Sequence, residues 1–79
     1  MWFVYAIKSL KDNNLYIGLS KNPQERLKGH NSGMTKSTKT RRPFKIIYTK
    51  ECKDRITARE REKYLKSGIG REFLKHLPR

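Results

Sequence analysis

Two runs of aliphatic and aromatic residues flank a short polar segment at the start of the chain, and that spacing constrains the fold more than any other feature. Trp2–Ser9 carries Trp, Phe, Val, Tyr and Ile and reads as a buried strand. Lys11-Asp12-Asn13-Asn14 is turn chemistry, because Asp and Asn side chains bond their own backbone and tolerate left-handed dihedrals. Leu15–Leu19 is a second strand. Strands joined by so tight a turn can only run antiparallel. Asn22-Pro23 then opens a helix, an N-cap followed by proline at the first helical position. That helix continues through Gln24–Lys28 and ends near Gly29–Asn31. The polar stretch Asn31–Arg42 holds Gly33, with Lys36, Lys39, Arg41 and Arg42 among Ser and Thr, and reads as a mobile basic loop. Strand pattern returns at Phe44–Lys50, with Ile46, Ile47 and Tyr48. Asp54 caps a second helix to about Lys66, with Gly68 as its terminator, and Arg71–Leu77 forms a short third helix closed by Pro78. The order β-β-α-β-α-α predicts an α+β fold, a three-stranded antiparallel sheet flanked by helices, as one domain over 1–79.

Composition limits what such a domain can do. Leu, Ile, Val and Phe together make 17 of 79 residues, just above the roughly 20% mark below which highly charged chains stay disordered. A thin core is feasible and a large one is not. No apolar run approaches the roughly 18–20 residues that a membrane span needs. Met1–Ile7 is interrupted by Lys8 and lacks a preceding cationic region, so it does not read as a signal peptide. The single Cys52 excludes an internal disulfide framework, and with two His it leaves too few ligands for a structural zinc site. A reducing cytoplasm is the expected compartment. The formal net charge of +13 points to a polyanionic partner. Lys and Arg facing phosphates release condensed counterions, which favours nucleic acid over a membrane surface.

Three groups of polar residues sit where geometry expects core. At about 100° per residue, with Ala58 at zero, Leu65 falls near −20° and Glu62 near +40°, while Glu60 falls near 200° on the far side. Glu62 thus shares the apolar stripe of the second helix, where a carboxylate is costly unless paired or bound to metal. An ion pair with a neighbouring Arg would satisfy it equally well. Arg26 and His30, four apart, project from one face of the first helix, with Leu27 as its core contact. Their plain alternative is a solvated Arg and a C-terminal His favoured by the helix dipole. If the hairpin loop has an even number of residues, Tyr5, Tyr16 and Gly18 lie on one face of the sheet. An odd loop separates the two tyrosines. Tyrosines at such strand positions are otherwise ordinary core aromatics.

Phe3-Val4-Tyr5, Tyr16-Ile17-Gly18, Arg26, His30 and Glu62, in that order, resemble the GIY-YIG nuclease superfamily, in particular its small stand-alone bacterial members. The likeness extends to Arg41-Arg42-Pro43 before the third strand and to Ala58–Gly68 at the second helix. Two departures are visible: the first triplet keeps only its tyrosine, and no asparagine follows Asn31. The resemblance implies phosphodiester hydrolysis in DNA with one divalent cation, Mg²⁺ or Mn²⁺. By it Tyr5, Tyr16, Arg26, His30 and Glu62 are catalytic, Glu62 is the metal-binding carboxylate, and Lys8 matches a lysine of the excinuclease branch.

On that footing Tyr5 is the expected general base, with His30 as relay or alternative base. A phenol with an ordinary pKa of about 10 needs cationic neighbours, Lys8 and Arg26 among them, or such a relay. Arg26 would donate to phosphate oxygens. Lys8, Lys36, Lys39, Arg41 and Arg42 would bind the nucleic-acid backbone, which positions substrate without reading sequence. The expected partner is DNA, branched or damaged DNA included, cut with structure-dependent or weak sequence specificity. A targeting protein or a second copy of the chain would be further partners, and no membrane is expected. The competing function is a non-catalytic nucleic-acid binder that retains the nuclease fold.

Overall fold

The structure, a computed structural model, describes residues 1–77. Strands β1 (Trp2–Ser9), β2 (Leu15–Ser20) and β3 (Phe44–Cys52) form one antiparallel sheet in the order β2-β1-β3. Helices α1 (Pro23–Asn31), α2 (Arg55–Lys66) and α3 (Gly68–Lys75) flank it, and a 3-10 turn spans Lys39–Arg41. The three-stranded antiparallel sheet and the order β-β-α-β-α-α are those expected from the sequence. β2 and β3 run on to Ser20 and Cys52, slightly past their predicted ends.

The hairpin closes as turn chemistry dictates. Ser9 N–H donates to Asn14 O (2.9 Å) and Asn13 N–H to Ser9 O (3.0 Å), leaving four residues in the loop. Asn13 adopts φ 64°, and Asn14 N–H bonds the Asp12 carboxylate at 3.0 Å. The even loop sets Tyr5 opposite Gly18 and Ile7 opposite Tyr16, so all four share a face. Against β3 the register slips between Ala6 and Ile7, where Ala6 pairs with Tyr48 and Ile7 with Ile46. The slip lets Ile47 and Tyr48 both serve one face while Ile46 serves the other.

Each face of the sheet has its own core. Val4, Ala6, Ile17 and Cys52 meet Ala58, Leu65 and Leu74 from α2 and α3. Tyr5, Ile7 and Phe44 meet Leu27 of α1, with Tyr16 and Ile46 partly buried beside them. The helix starts follow the sequence signals: the Asn22 side chain accepts from Glu25 N–H (3.2 Å) and Asp54 from Thr57 N–H (2.8 Å). Where α1 ends, the Asn31 side chain accepts from Phe44 N–H (2.7 Å) and donates to Phe44 O (3.1 Å), tying α1 to β3.

Three local expectations are corrected. Gly68 does not end α2; it begins α3, with Ser67 both terminating one helix and capping the next through Gly70 N–H (3.2 Å). The third helix therefore starts three residues before Arg71, because a serine hydroxyl at an N-cap outweighs the helix-breaking tendency of two glycines. Gly70 is also required by packing, since a Cβ there would overlap the backbone of Tyr64 and Leu65 in α2. The stretch read as a mobile basic loop instead contains the 3-10 turn. It is held by Ser9 Oγ donating to Arg41 O (2.6 Å), Leu10 N–H to Pro43 O (2.8 Å) and Lys11 Nζ to Thr40 O (3.2 Å). The Arg42–Pro43 peptide that leads into β3 is cis. Pro78, expected to close the last helix, lies outside the described residues. Among the described residues no helix is long and apolar enough to cross a membrane.

Candidate active site

The site begins with a missing side chain. A Cβ at Gly18 would stand 2.7 Å from Tyr5 Oη and 2.9 Å from its Cζ, so the bare backbone of β2 is what lets the Tyr5 ring lie across the edge strand. Tyr16, on the same face, has its ring centroid 6.3 Å from that of Tyr5.

Helix α1 contributes the next two residues from adjacent turns. The Arg26 guanidinium is exposed, and its charge acts on the Tyr5 hydroxyl. His30 is fully buried, with ring centroids 4.7 Å from Tyr16 and 6.1 Å from both Tyr5 and Phe44. Its Nε2 lies 3.0 Å from Tyr5 Oη, and its Nδ1 lies 2.8 Å from Thr38 Oγ1. His30 is therefore not the exposed C-terminal residue that the dipole alone would explain. It joins β1 to the loop after α1.

These surroundings set the charge states. Burial pushes the Tyr5 phenol above its ordinary pKa; the Arg26 guanidinium pulls it partly back, while Tyr16 and Glu62 add to the rise. Burial also lowers His30, and the neighbouring Arg26 charge acts in the same direction. At neutral pH the pair rests as a phenol and an uncharged imidazole. The neighbouring Tyr5 hydroxyl in turn raises Arg26.

Glu62 behaves as its helical angle predicts: its side chain is only 13% exposed, whereas Glu60 on the far side is open to solvent. Although α2 covers the opposite face of the sheet, the Glu62 carboxylate is close enough to oppose ionisation of Tyr5. Its Oε1 lies 3.6 Å from Arg59 Nε and its Oε2 3.2 Å from Lys66 Nζ, so the ion pair foreseen as the plainer explanation is present as well. Among the described residues no three His, Cys, Asp or Glu side chains cluster to form a metal cage. One half-buried carboxylate fits a hard cation that keeps water and substrate oxygens as its remaining ligands, the mode Mg²⁺ favours.

The basic residues divide. Lys36, Lys39, Arg41 and Arg42 are all exposed. Arg42 Nε donates to Lys39 O at 2.9 Å and Arg41 Nε stands 3.8 Å from the Asp12 carboxylate, so both shape the loop as well as charge it. An open cleft of about 460 Å³ runs between Arg26 and Lys28 of α1 and Met34 and Thr35 of the loop. Lys8 is a correction. Strand alternation turns it to the α2–α3 face, where it lines a cleft with Asn13, Leu15 and Lys75. It does not belong to the cationic surroundings of Tyr5. Thr38, buried among charged neighbours, is the site residue that sequence reasoning missed. Nothing in a Ser/Thr-rich basic stretch distinguishes it from Thr35 or Thr40.

Comparison with known proteins bears on the family and the fold. Residues 1–72 match the sequence model of the GIY-YIG catalytic domain. The UPF0213 protein SH2523 of Staphylococcus haemolyticus is 38% identical over 74 residues, covering 92% of this chain and 89% of that protein. The UPF0213 protein DP2720 of Desulfotalea psychrophila is 37% identical over 67 residues, 82% of this chain but only 60% of its own length. The solution NMR structure of the UPF0213 protein BH0048 from Bacillus halodurans superposes with a TM-score of 0.56 at 31% identity, covering 98% of this chain and 85% of that one. A sheet, helix order and motif tyrosines of this kind, matched over nearly the whole described chain, place the protein in the GIY-YIG family.

Proposed function

We propose that this chain is a DNA endonuclease that hydrolyses phosphodiester bonds with one divalent cation and with structure-dependent or weak sequence specificity. One observation carries the reading: the buried Tyr5 hydroxyl is hydrogen-bonded to His30, with the charges of Arg26 and Glu62 both in electrostatic range of it. A structural core has no use for a guanidinium, a phenol, an imidazole and a carboxylate at one rim of a sheet. Phosphoryl chemistry uses all four.

The roles follow from charge state and access. Arg26 reaches solvent and presents planar donors suited to phosphate oxygens. A phosphate that draws its guanidinium outward uncovers the Tyr5 hydroxyl. Tyr5 rests protonated, so it can accept a proton from the attacking water only as its own proton departs. His30 Nε2 lies in reach to take it. The aromatic rings around His30 exclude competing water. Glu62 would hold Mg²⁺ or Mn²⁺, and the bound ion supplies charge stabilisation at the phosphate and the leaving 3′ oxygen. Lys36, Lys39, Arg41 and Arg42 add a positive, sequence-blind track for the backbone. Cytoplasmic DNA, branched or damaged forms included, is the substrate, and a second copy or a targeting protein would let one small site cut both strands.

The test is nicking of supercoiled plasmid with Mg²⁺ or Mn²⁺ and a chelator control, for wild type and Glu62→Ala. The expected result is chelator-sensitive nicking by wild type and its loss in Glu62→Ala, with DNA binding kept. Equal turnover by the variant overturns the metal assignment. DNA binding without any nicking by wild type leaves the chain a non-catalytic nucleic-acid binder.

A further inference from the structure

The hydrogen bonds around His30 run in one direction. The Tyr5 hydroxyl, 3.0 Å from His30 Nε2, can donate to that nitrogen or accept from it, so this contact by itself leaves the tautomer open. At the other end, Thr38 Oγ1 lies 3.3 Å from Thr35 O. A carbonyl only accepts, so the threonine proton points there and leaves Oγ1 as an acceptor for His30 Nδ1, 2.8 Å away. That contact puts the imidazole proton on Nδ1 and the lone pair on Nε2, where it accepts the Tyr5 proton. Thr38 itself is 2% exposed, and its loop is anchored to the hairpin through Ser9 and Lys11.

We propose that Thr38 is a positioning residue, whose hydroxyl oxygen fixes His30 as its Nδ1–H tautomer so that Nε2 stands ready to receive the Tyr5 proton. The mechanistic consequence rests on the nuclease reading above; the tautomer does not. In the hydrolytic step, water oxygen bonds to phosphorus as the bond from phosphorus to the 3′ oxygen breaks. The water proton passes to Tyr5 Oη while the Tyr5 proton passes to His30 Nε2. His30 becomes an imidazolium whose Nδ1–H stays on Thr38 Oγ1; the 3′ oxygen leaves with the bonding pair and takes a proton from solvent, and His30 gives its added proton back to solvent as product leaves. A ring in the other tautomer would present N–H to the phenol and could accept no proton from it. The uncharged resting state of His30, favoured by burial and Arg26, keeps that lone pair available.

The deciding measurement is the ¹⁵N spectrum of the His30 ring. In wild type it should show a protonated Nδ1 and an unprotonated Nε2 at neutral pH, and Tyr5→Phe should keep that pattern because Thr38 alone suffices. Thr38→Val, of equal shape but with no acceptor, should lose it, and Thr38→Ser should restore it. For plasmid nicking, Thr38→Val should lower kcat about 10- to 100-fold, the usual cost of losing a partner that orients a functional imidazole, with KM little changed and Thr38→Ser recovering most of the rate. An Nε2–H ring in wild type overturns the proposal, as does a Thr38→Val protein with the wild-type ring spectrum. If wild type does not nick DNA at all, the function fails while the ring spectrum still decides the role of Thr38.

Discussion

On the α2–α3 side of the sheet the buried groups are Val4, Ala6, Ile17, Ala58, Leu65 and Leu74 with the Cys52 thiol; on the α1 side they include Tyr5, His30 and Thr38, each bonded to the next. The first side loses little by repacking aliphatic groups of similar volume. The second must satisfy every polar atom, because a buried donor or acceptor left alone costs about 1–3 kcal/mol. No buried side-chain nitrogen or oxygen among the described residues lacks a partner. In a domain with so few aliphatic residues, aliphatic packing is concentrated on one face and buried polar hydrogen bonding on the other. β1, hydrogen-bonded to both other strands, carries alternate side chains to each.

The sharpest way to separate the faces is a pair of substitutions. Tyr5→Phe should cut nicking at least about 10²-fold, the scale for loss of a general base, while the protein stays folded. Leu65→Ala should cost about 2–5 kcal/mol of stability, measured by urea denaturation, a large part of the about 5–15 kcal/mol that holds a domain together. A Leu65→Ala protein should still cut DNA at low temperature. Similar rate losses from both would mean that the faces are not independent.

Gly18→Ala probes the boundary between them. Its Cβ would press on the Tyr5 hydroxyl and ring tip, not on backbone, so the ring shifts and the fold survives. Nicking should fall about tenfold or more, by analogy with a hydrogen bond to a reactive group lost at about 1.4 kcal/mol per decade. Unchanged activity would show that the Tyr5 position is not critical.

A smaller effect distinguishes the faces by pH. His30 is held below its unfolded value of about 6.5, so as pH falls through that value the unfolded chain takes up a proton that the folded chain refuses. Stability contributed by uncharged His30 is complete above about pH 6.5 and declines below it until the folded form also protonates. Urea midpoints from pH 7.5 to 5 should therefore fall more steeply for wild type than for His30→Gln; parallel curves would place the pH dependence elsewhere. The smallest expected change is at the basic loop. Lys39→Ala should weaken duplex binding evenly across sequences and reduce the slope of log affinity against log salt by about 1, and a slope equal to wild type would remove Lys39 from the phosphate track.

Much of the fold was legible because it rests on short-range rules. The Asn22-Pro23 and Asp54 starts, the parity of the hairpin and the inward angle of Glu62 each follow from geometry within a few residues. Short range also misled: Gly68 reads as a stop, yet Ser67 caps a new helix over it. Lys8, three residues beyond Tyr5, reads as its neighbour until strand alternation carries it to the other face.

Local pattern therefore established the strands, the helix caps, the apolar stripe and a charge that calls for a polyanion. It could not show that His30 would reach Tyr5 across 25 residues of chain, or that one threonine among several would be buried against the imidazole. Those contacts come from packing α1 and its following loop onto the sheet, where Asn31 and Ser9 lock the loop in place. Periodicity records which way a side chain faces relative to its own element. Which partner it meets there depends on how the elements close around one another, and that is decided only when the whole chain has folded.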